Sequence, residues 1–276
     1  MYAGTTFRTS SGDLLGAHQR IDRIARRHLR TVLPRRAFFP TARMILKFEG
    51  RDGPDGIKRK SPARDEPWHY IDPNNHSDRD LLALIEDHMV NLERALVKRD
   101  EVRAAFEAAW LAHAIVDGLT PAHHYPLEEK LEELRGGAGL ETRTTIKQKV
   151  VLPGESKRHQ VKNNWEFWGA KGVMTTHFMF EMGFATTLVS LKLDKAIPTK
   201  NELIRVKQEG IGPIFFETVH HIHSLKMYET FHKKGWNRSL IRLTRQELAP
   251  SIVKTVTLAW YIASLRAEKR RKGERP

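Results

Sequence analysis

The chain has 276 residues and no cysteine. That absence removes disulfide frameworks and thiolate metal sites. Any metal must be held by His, Asp, Glu, backbone or water, a donor set that suits zinc and harder cations. Long apolar runs are missing too: none reaches the roughly 18 residues of a membrane span. The longest candidate, "IVKTVTLAWYIASL", contains Lys254 and reads as a buried helix, so no transmembrane segment is expected. The first residues, "MYAGTTFRTSSGDLLGAHQ", lack the basic start, apolar centre and small-residue cleavage site of a secretory signal, and a cytoplasmic location is the expectation. No repeat is visible, and convincing β alternation is absent; only "KQKVVLP" reads as a strand candidate.

What is present is basic charge and helical periodicity. The formal net charge is +14, carried partly by "HQRIDRIARRHLRTVLPRR" and partly by the tail "RAEKRRKGERP". Such a balance points to an anionic partner: nucleic acid, acidic lipid or a phosphorylated substrate. Leu14, Leu15, Ile21, Ile24, Ala25 and Leu29 form one helical stripe, and similar stripes recur along the chain. The expected class is all-α, one domain over 1–276. Within it, residues 37–77 read as a loop, broken by Gly50, Gly53, Pro54, Gly56, Pro62, Pro67 and Pro73. Residues 266–276 read as a disordered basic tail. Helix is expected to resume near Ser77 or Asp78 as N-cap, and again from Asp100 to Gly118, where Pro121 stops it.

The segment "LAHAIVDGLTPAHHYP" places His113, Asp117, His123 and His124 inside an otherwise apolar stretch. His113 and Asp117 are four apart, so they share a helical face. His177 and Glu181 repeat that spacing on "TTHFMFEMGFA", where burying two ionisable groups is costly unless they are paired or metal-bound. His18 and Asp22 repeat it again, although Arg20, Arg23 and Arg26 around Asp22 suggest a surface ion pair for that carboxylate. The loop adds His69 between Trp68 and Tyr70, and Asp52 and Asp55 among glycines. Glu217, His220, His221 and His223 form a weaker cluster, read as an outer support of the site or a polar face.

The string H-x-x-x-D-x-x-x-x-x-H (His113, Asp117, His123), followed by H-x-x-x-E (His177, Glu181), resembles the zinc-dependent phospholipase C / P1 nuclease superfamily. "AHQRIDRIA" is similar to its early helix, "PWHYIDP" to its loop histidine, and Asp55 lies fourteen residues before His69, near where the family places a loop aspartate. The resemblance covers roughly residues 14–190. It implies an all-helical fold with two or three zinc ions. Asp55, His69, His113 and Asp117 would hold one; His123, His177 and Glu181 a second; His18 would help hold a third, with Asp117 bridging. Asp55 and Asp117 would be the catalytic carboxylates, Asp55 orienting or deprotonating a water. The chain departs from the family in two places. It starts "MYAGTT", where the family's third zinc takes an N-terminal Trp, and residues 125–176 read as an insertion beside the site, leaving His123 and His124 as alternative ligands. The implied activity is phosphodiester hydrolysis, phospholipase C-like first. The alternatives are nuclease action on single-stranded nucleic acid, with Trp68, Tyr70, Trp165 and Trp168 as stacking candidates, and a non-catalytic metal-binding protein of the same fold. The expected partners are an anionic phosphodiester substrate and peripherally an acidic membrane surface, with export as the family's analogy.

Overall fold

Apolar residues recurring every three to four positions build helix after helix in the computed structural model, which describes residues 16–49, 53–56, 69–75, 77–125, 127–139 and 142–273. Among these residues there is no strand, and the protein is all-α. The expected helix breaks at 37–77 are only partly irregular. A short helix, α2 (Ala42–Ile45), and a 3-10 turn (Leu46–Phe48) follow α1 (Ala17–Val32). Asp52 and Trp68 lie outside the described residues.

The centre is a hairpin of α3 (Asp80–Lys98) and α4 (Glu101–Gly118). Between them Arg99 takes the left-handed conformation (φ 55°), and Asp100 caps α4 by accepting from the Arg103 N–H. α4 is buried along most of its length because it is rich in alanine. Ala104, Ala105, Ala108, Ala109 and Ala112 are all fully buried, which lets neighbouring backbones approach closely. Helix α3 starts later than the sequence suggests. Its N-cap is Arg79, and the Asp78 carboxylate instead accepts from the Asp72 N–H at 2.8 Å, tying down the preceding turn.

Packed on this hairpin is a continuous C-terminal helix made of α12 (Arg238–Leu243), a π-helical turn (Thr244–Leu248) and α13 (Ala249–Arg271). By length and composition Arg238–Arg271 is apolar enough to cross a membrane, yet 78% of its most apolar window is buried inside the protein. Trp260 is fully buried and donates its indole N–H to Ala108 O at 3.0 Å, locking α13 to α4. The tail expectation needs correcting. Helix continues through Arg271, and Arg266 and Arg270 reach the buried Glu93 carboxylate of α3 at 3.2 and 3.4 Å. A buried carboxylate with two guanidinium partners explains why the basic run is ordered that far.

The insertion folds as a satellite. It comprises α5 (Leu127–Leu134), α6 (Ile146–Val150) and α7 (Lys157–Trp168). Leu127, Leu131, Leu134, Leu152 and Phe167 form its own small core, against which Tyr70, Val173 and Met174 pack. "KQKVVLP" is therefore not a strand: its first four residues are helical and the rest is irregular. Thr145 and Gln148 form a reciprocal capping box that starts α6. α8 (Val173–Leu188) follows and carries the second His-x-x-x-Glu pair into the main core. The last elements before the C-terminal helix are α9 (Lys200–Glu209), α10 (Ile211–Ser224) and α11 (Met227–Lys234).

Candidate metal centre

Six pieces of chain meet at one buried point. α1 supplies His18, α4 supplies His113 and Asp117, and α8 supplies His177 and Glu181. A 3-10 turn at Pro121–His124 supplies His123, a short helical stretch at 54–56 supplies Asp55, and the irregular segment at 69–75 supplies His69. The turn is set locally. Thr120 Oγ1 donates to Val116 O at 2.7 Å, the His123 N–H donates to Thr120 O at 2.9 Å, and Pro121 fixes the first turn position. This geometry separates the two candidate histidines. His123 turns inward, whereas His124 donates to Gly118 O at 2.9 Å and packs toward His223.

Asp117 is fully buried and is the hub. His18 Nε2 lies 3.3 Å from its Oδ1 and His113 Nε2 lies 3.3 Å from its Oδ2. The His69 Nδ1 contacts Oδ2 as well, and His123 Nε2 stands 3.8 Å from Oδ1. The His18 and His113 rings stack with centroids 3.8 Å apart. Asp55 joins from the loop, 3.6 Å from His113 Nε2, and with 26% side-chain exposure it is the most open carboxylate of the group. On the far side, His123 Nε2 and His177 Nε2 are each 3.0 Å from the same oxygen, Oε1 of Glu181. Three sets of donors have mutual separations, within 4.8 Å, that could hold a metal ion: His18, His113 and Asp117; Asp55, His69 and His113; His123, His177 and Glu181.

The donor chemistry of His123 tests whether a cation fits. Its Nδ1 lies 2.7 Å from the His69 carbonyl oxygen, which can only accept, so Nδ1 carries the proton. In a neutral ring, Nε2 is then a bare lone pair, and it faces the Glu181 carboxylate at 3.0 Å. Burial pushes the His123 pKa down to about 3, which favours the neutral ring. Burial alone would raise the Glu181 carboxyl, but the adjacent His177 helps hold it well below the ordinary carboxylate range. A neutral ring facing a carboxylate in a dry interior is an arrangement that could hold a cation, and backbone anchoring of the far ring nitrogen is how metal-bound histidines are usually oriented.

Around Asp117 the balance is different. Burial would raise its pKa, yet His113 beside it helps hold it well below its ordinary value. His113 is opposed by burial and raised overall by Asp117 and Glu49, and Asp55 is lowered, against burial, by its contact with His113. One contributor escapes sequence reasoning. Glu49 is buried with its Oε2 3.3 Å from His113 Nδ1, where it can accept that N–H and leave Nε2 directed at the hub. Tyr70 lies over His123, with ring centroids 5.3 Å apart and planes 26° apart. Glu49 sits only six residues before Asp55 in "FEGRDGPD", the one signal that could have exposed it.

Asp22 corrects an expectation. It is buried at 1% exposure, and neither carboxylate oxygen has a hydrogen-bond partner among the described residues, so it makes no surface ion pair. Burial and the Glu49 charge raise its pKa well above the ordinary value. The weaker histidine cluster stays outside the centre. Glu217 pairs with Arg205 at 2.5 Å and His221 with Glu247 at 3.3 Å, both on exposed surface. No family model, curated protein or solved structure matches this chain.

Proposed function

We propose that this protein is a metal-dependent phosphodiester hydrolase of phospholipase C type, with zinc as the metal and His18, Asp55, His69, His113, Asp117, His123, His177 and Glu181 as ligands. The contact between His123 and Glu181, a lone pair facing a carboxylate at 3.0 Å, carries the metal reading. Asp117 touches members of all three donor sets, which favours neighbouring ions bridged by one carboxylate. When bound, such ions supply Lewis acidity and charge neutralisation to a phosphodiester. The chain's own residues do the rest. Asp117 holds the donor sets in register, His69 O fixes the His123 tautomer, and Asp55 is open enough to orient a water and take its proton.

The lipid branch is favoured by Phe178 and Met179. They follow His177 on α8 and are 43% and 51% exposed, so the helix that carries two candidate ligands inward presents apolar side chains outward. A nuclease reading draws on the exposed Trp165 and Trp168, which offer stacking surfaces. The test is metal analysis of the purified protein together with hydrolysis of a soluble phosphodiester dye, phosphatidylcholine and single-stranded DNA, each with and without chelator. Bound zinc with chelator-sensitive turnover of phosphatidylcholine is the expected result. Turnover of DNA alone selects the nuclease reading. Bound metal with no turnover of any substrate leaves a non-catalytic metal-binding protein.

A further inference from the structure

The outward face of α7 is apolar although the helix is otherwise basic and polar. Val161, Trp165 and Trp168 occupy positions i, i+4 and i+7, one helical face, and are 69%, 71% and 42% exposed. The inward face is the reverse of an ordinary amphipathic helix. It buries Phe167 together with Asn163, whose amide donates to Leu134 O and Pro153 O at 2.9 Å each. Asn164 clasps Leu152 through both its N–H and its C=O, at 3.0 and 2.8 Å. These bonds fix the rotation of α7, so the tryptophans are held outward and cannot roll into the satellite core.

The patch extends beyond α7. Trp168 donates its indole N–H to Val150 O at 2.7 Å, which brings the end of α6 alongside, and Val150 and Val151 are themselves 53% and 39% exposed. The charges around it are of one sign. Lys147, Lys157, Arg158, Lys162 and Lys171 are exposed, while of the two acids in the stretch from 146 to 171, Glu166 is engaged by Lys130 at 3.0 Å, leaving Glu155.

We propose that this face of the satellite docks the protein on an anionic phospholipid surface, with Trp165, Trp168 and the valines entering the headgroup boundary and the lysines and arginine meeting acidic headgroups. Tryptophan with flanking Lys and Arg is the composition of an interfacial helix. Single-stranded nucleic acid would also meet the cations, but Val150, Val151 and Val161 have no π-face on which a base can stack, whereas all five exposed apolar side chains gain from an acyl boundary. The satellite touches the metal centre through Tyr70, which packs on its core and lies over His123, so docking would hold that centre near the lipid surface. The metal-site consequence rests on the reading in the previous section; the docking itself does not.

Co-sedimentation of the full chain with phosphatidylcholine vesicles, with and without phosphatidylserine, tests it, with indole fluorescence as a second readout. Binding that requires phosphatidylserine, weakens with salt and shifts the emission to the blue is expected. A Val161→Ser, Trp165→Ala variant, altered only at exposed positions, should bind about tenfold more weakly or worse. Its circular dichroism and melting should match the parent. Absence of vesicle binding, binding indifferent to these substitutions, or binding only to a single-stranded oligonucleotide would overturn the proposal. Vesicle binding without turnover would sink the hydrolase reading and leave the docking; turnover of a soluble phosphodiester without vesicle binding would do the opposite.

Discussion

At the residue scale, two imidazoles of the centre, His113 and His123, have their far nitrogens engaged by protein groups. His113 shows the consequence best. With Glu49 accepting at Nδ1, its Nε2 is directed at Asp117 and Asp55. Glu49 is a positioning residue on this geometry, and losing such an outer partner typically costs about 10–100-fold in metal affinity. Glu49→Leu should therefore weaken zinc binding by that order in a competition titration against a chromophoric chelator, while Glu49→Gln, whose amide oxygen can still accept, should recover much of the loss. Equal affinity in Glu49→Leu and the parent would remove Glu49 from the site. The i, i+4 pairs made most of this centre legible in the sequence, because a helix converts that spacing directly into a shared face. Glu49 was not legible, since nothing periodic ties an irregular segment to a helix fifty or more residues away.

His28 carries a different prediction at the same scale. It is 1% exposed, and neither ring nitrogen has a hydrogen-bond partner among the described residues. Burial, helped by Arg27, lowers its pKa below the ordinary histidine value. An unfolded imidazole titrates near 6.5, so below that pH the unfolded chain binds a proton that the folded one refuses. The sign is then fixed: stability contributed by neutral His28 is intact above about pH 6.5 and is lost as pH falls toward the lowered folded value. Urea midpoints measured at pH 7.5 and at pH 5.5 should differ less in His28→Leu than in the parent. An unchanged difference would mean that other groups carry the acid limb.

At the scale of elements, α8 has to do two things at once, present His177 and Glu181 inward and accept Trp236 on another side. Gly183 makes the second possible. A Cβ there would stand 1.8 Å from Trp236 Nε1, whose N–H donates to Met179 O at 3.2 Å. Gly183→Ala should therefore expel or tilt the indole and cost about 1–3 kcal/mol, the usual penalty of overpacking. The check is a urea melt with Trp236 exposure followed by acrylamide quenching; a variant as stable and as protected as the parent would show that α8 can shift freely. Elements were read well where one residue decides the boundary, as with Asp100 capping α4. They were misread where two signals compete. "KQKVV" has β-branched residues, but the Thr145–Gln148 capping box starts a helix first. The basic tail was misread because the buried Glu93 that orders it lies about 170 residues earlier in the chain.

At the scale of the whole molecule, the metal centre and the hydrophobic core share the same supports. α1, α4 and α8 each place one face in the main core and a ligand group in the centre, with Ile21, Ile115 and Phe184 fully buried alongside His18, His113 and Glu181. Removing cations would leave Asp117 and Glu181 facing imidazoles that are not all protonated, and unpaired charge at that depth is costly. A metal bound there would therefore contribute folding free energy to the entire bundle. A ligand at about a hundred times its Kd adds roughly 2.7 kcal/mol, which for a protein of this size moves Tm by about 2–4 °C per kcal/mol. Chelator treatment should accordingly lower Tm by several degrees, and stoichiometric zinc should restore it. Glu181→Gln, which keeps the shape but removes the charge in the third donor set, should show a smaller chelator-dependent shift than the parent and bind fewer ions per chain. A parent Tm indifferent to chelator, in protein shown by elemental analysis to lose metal, would separate the centre from the fold and contradict the shared-support argument.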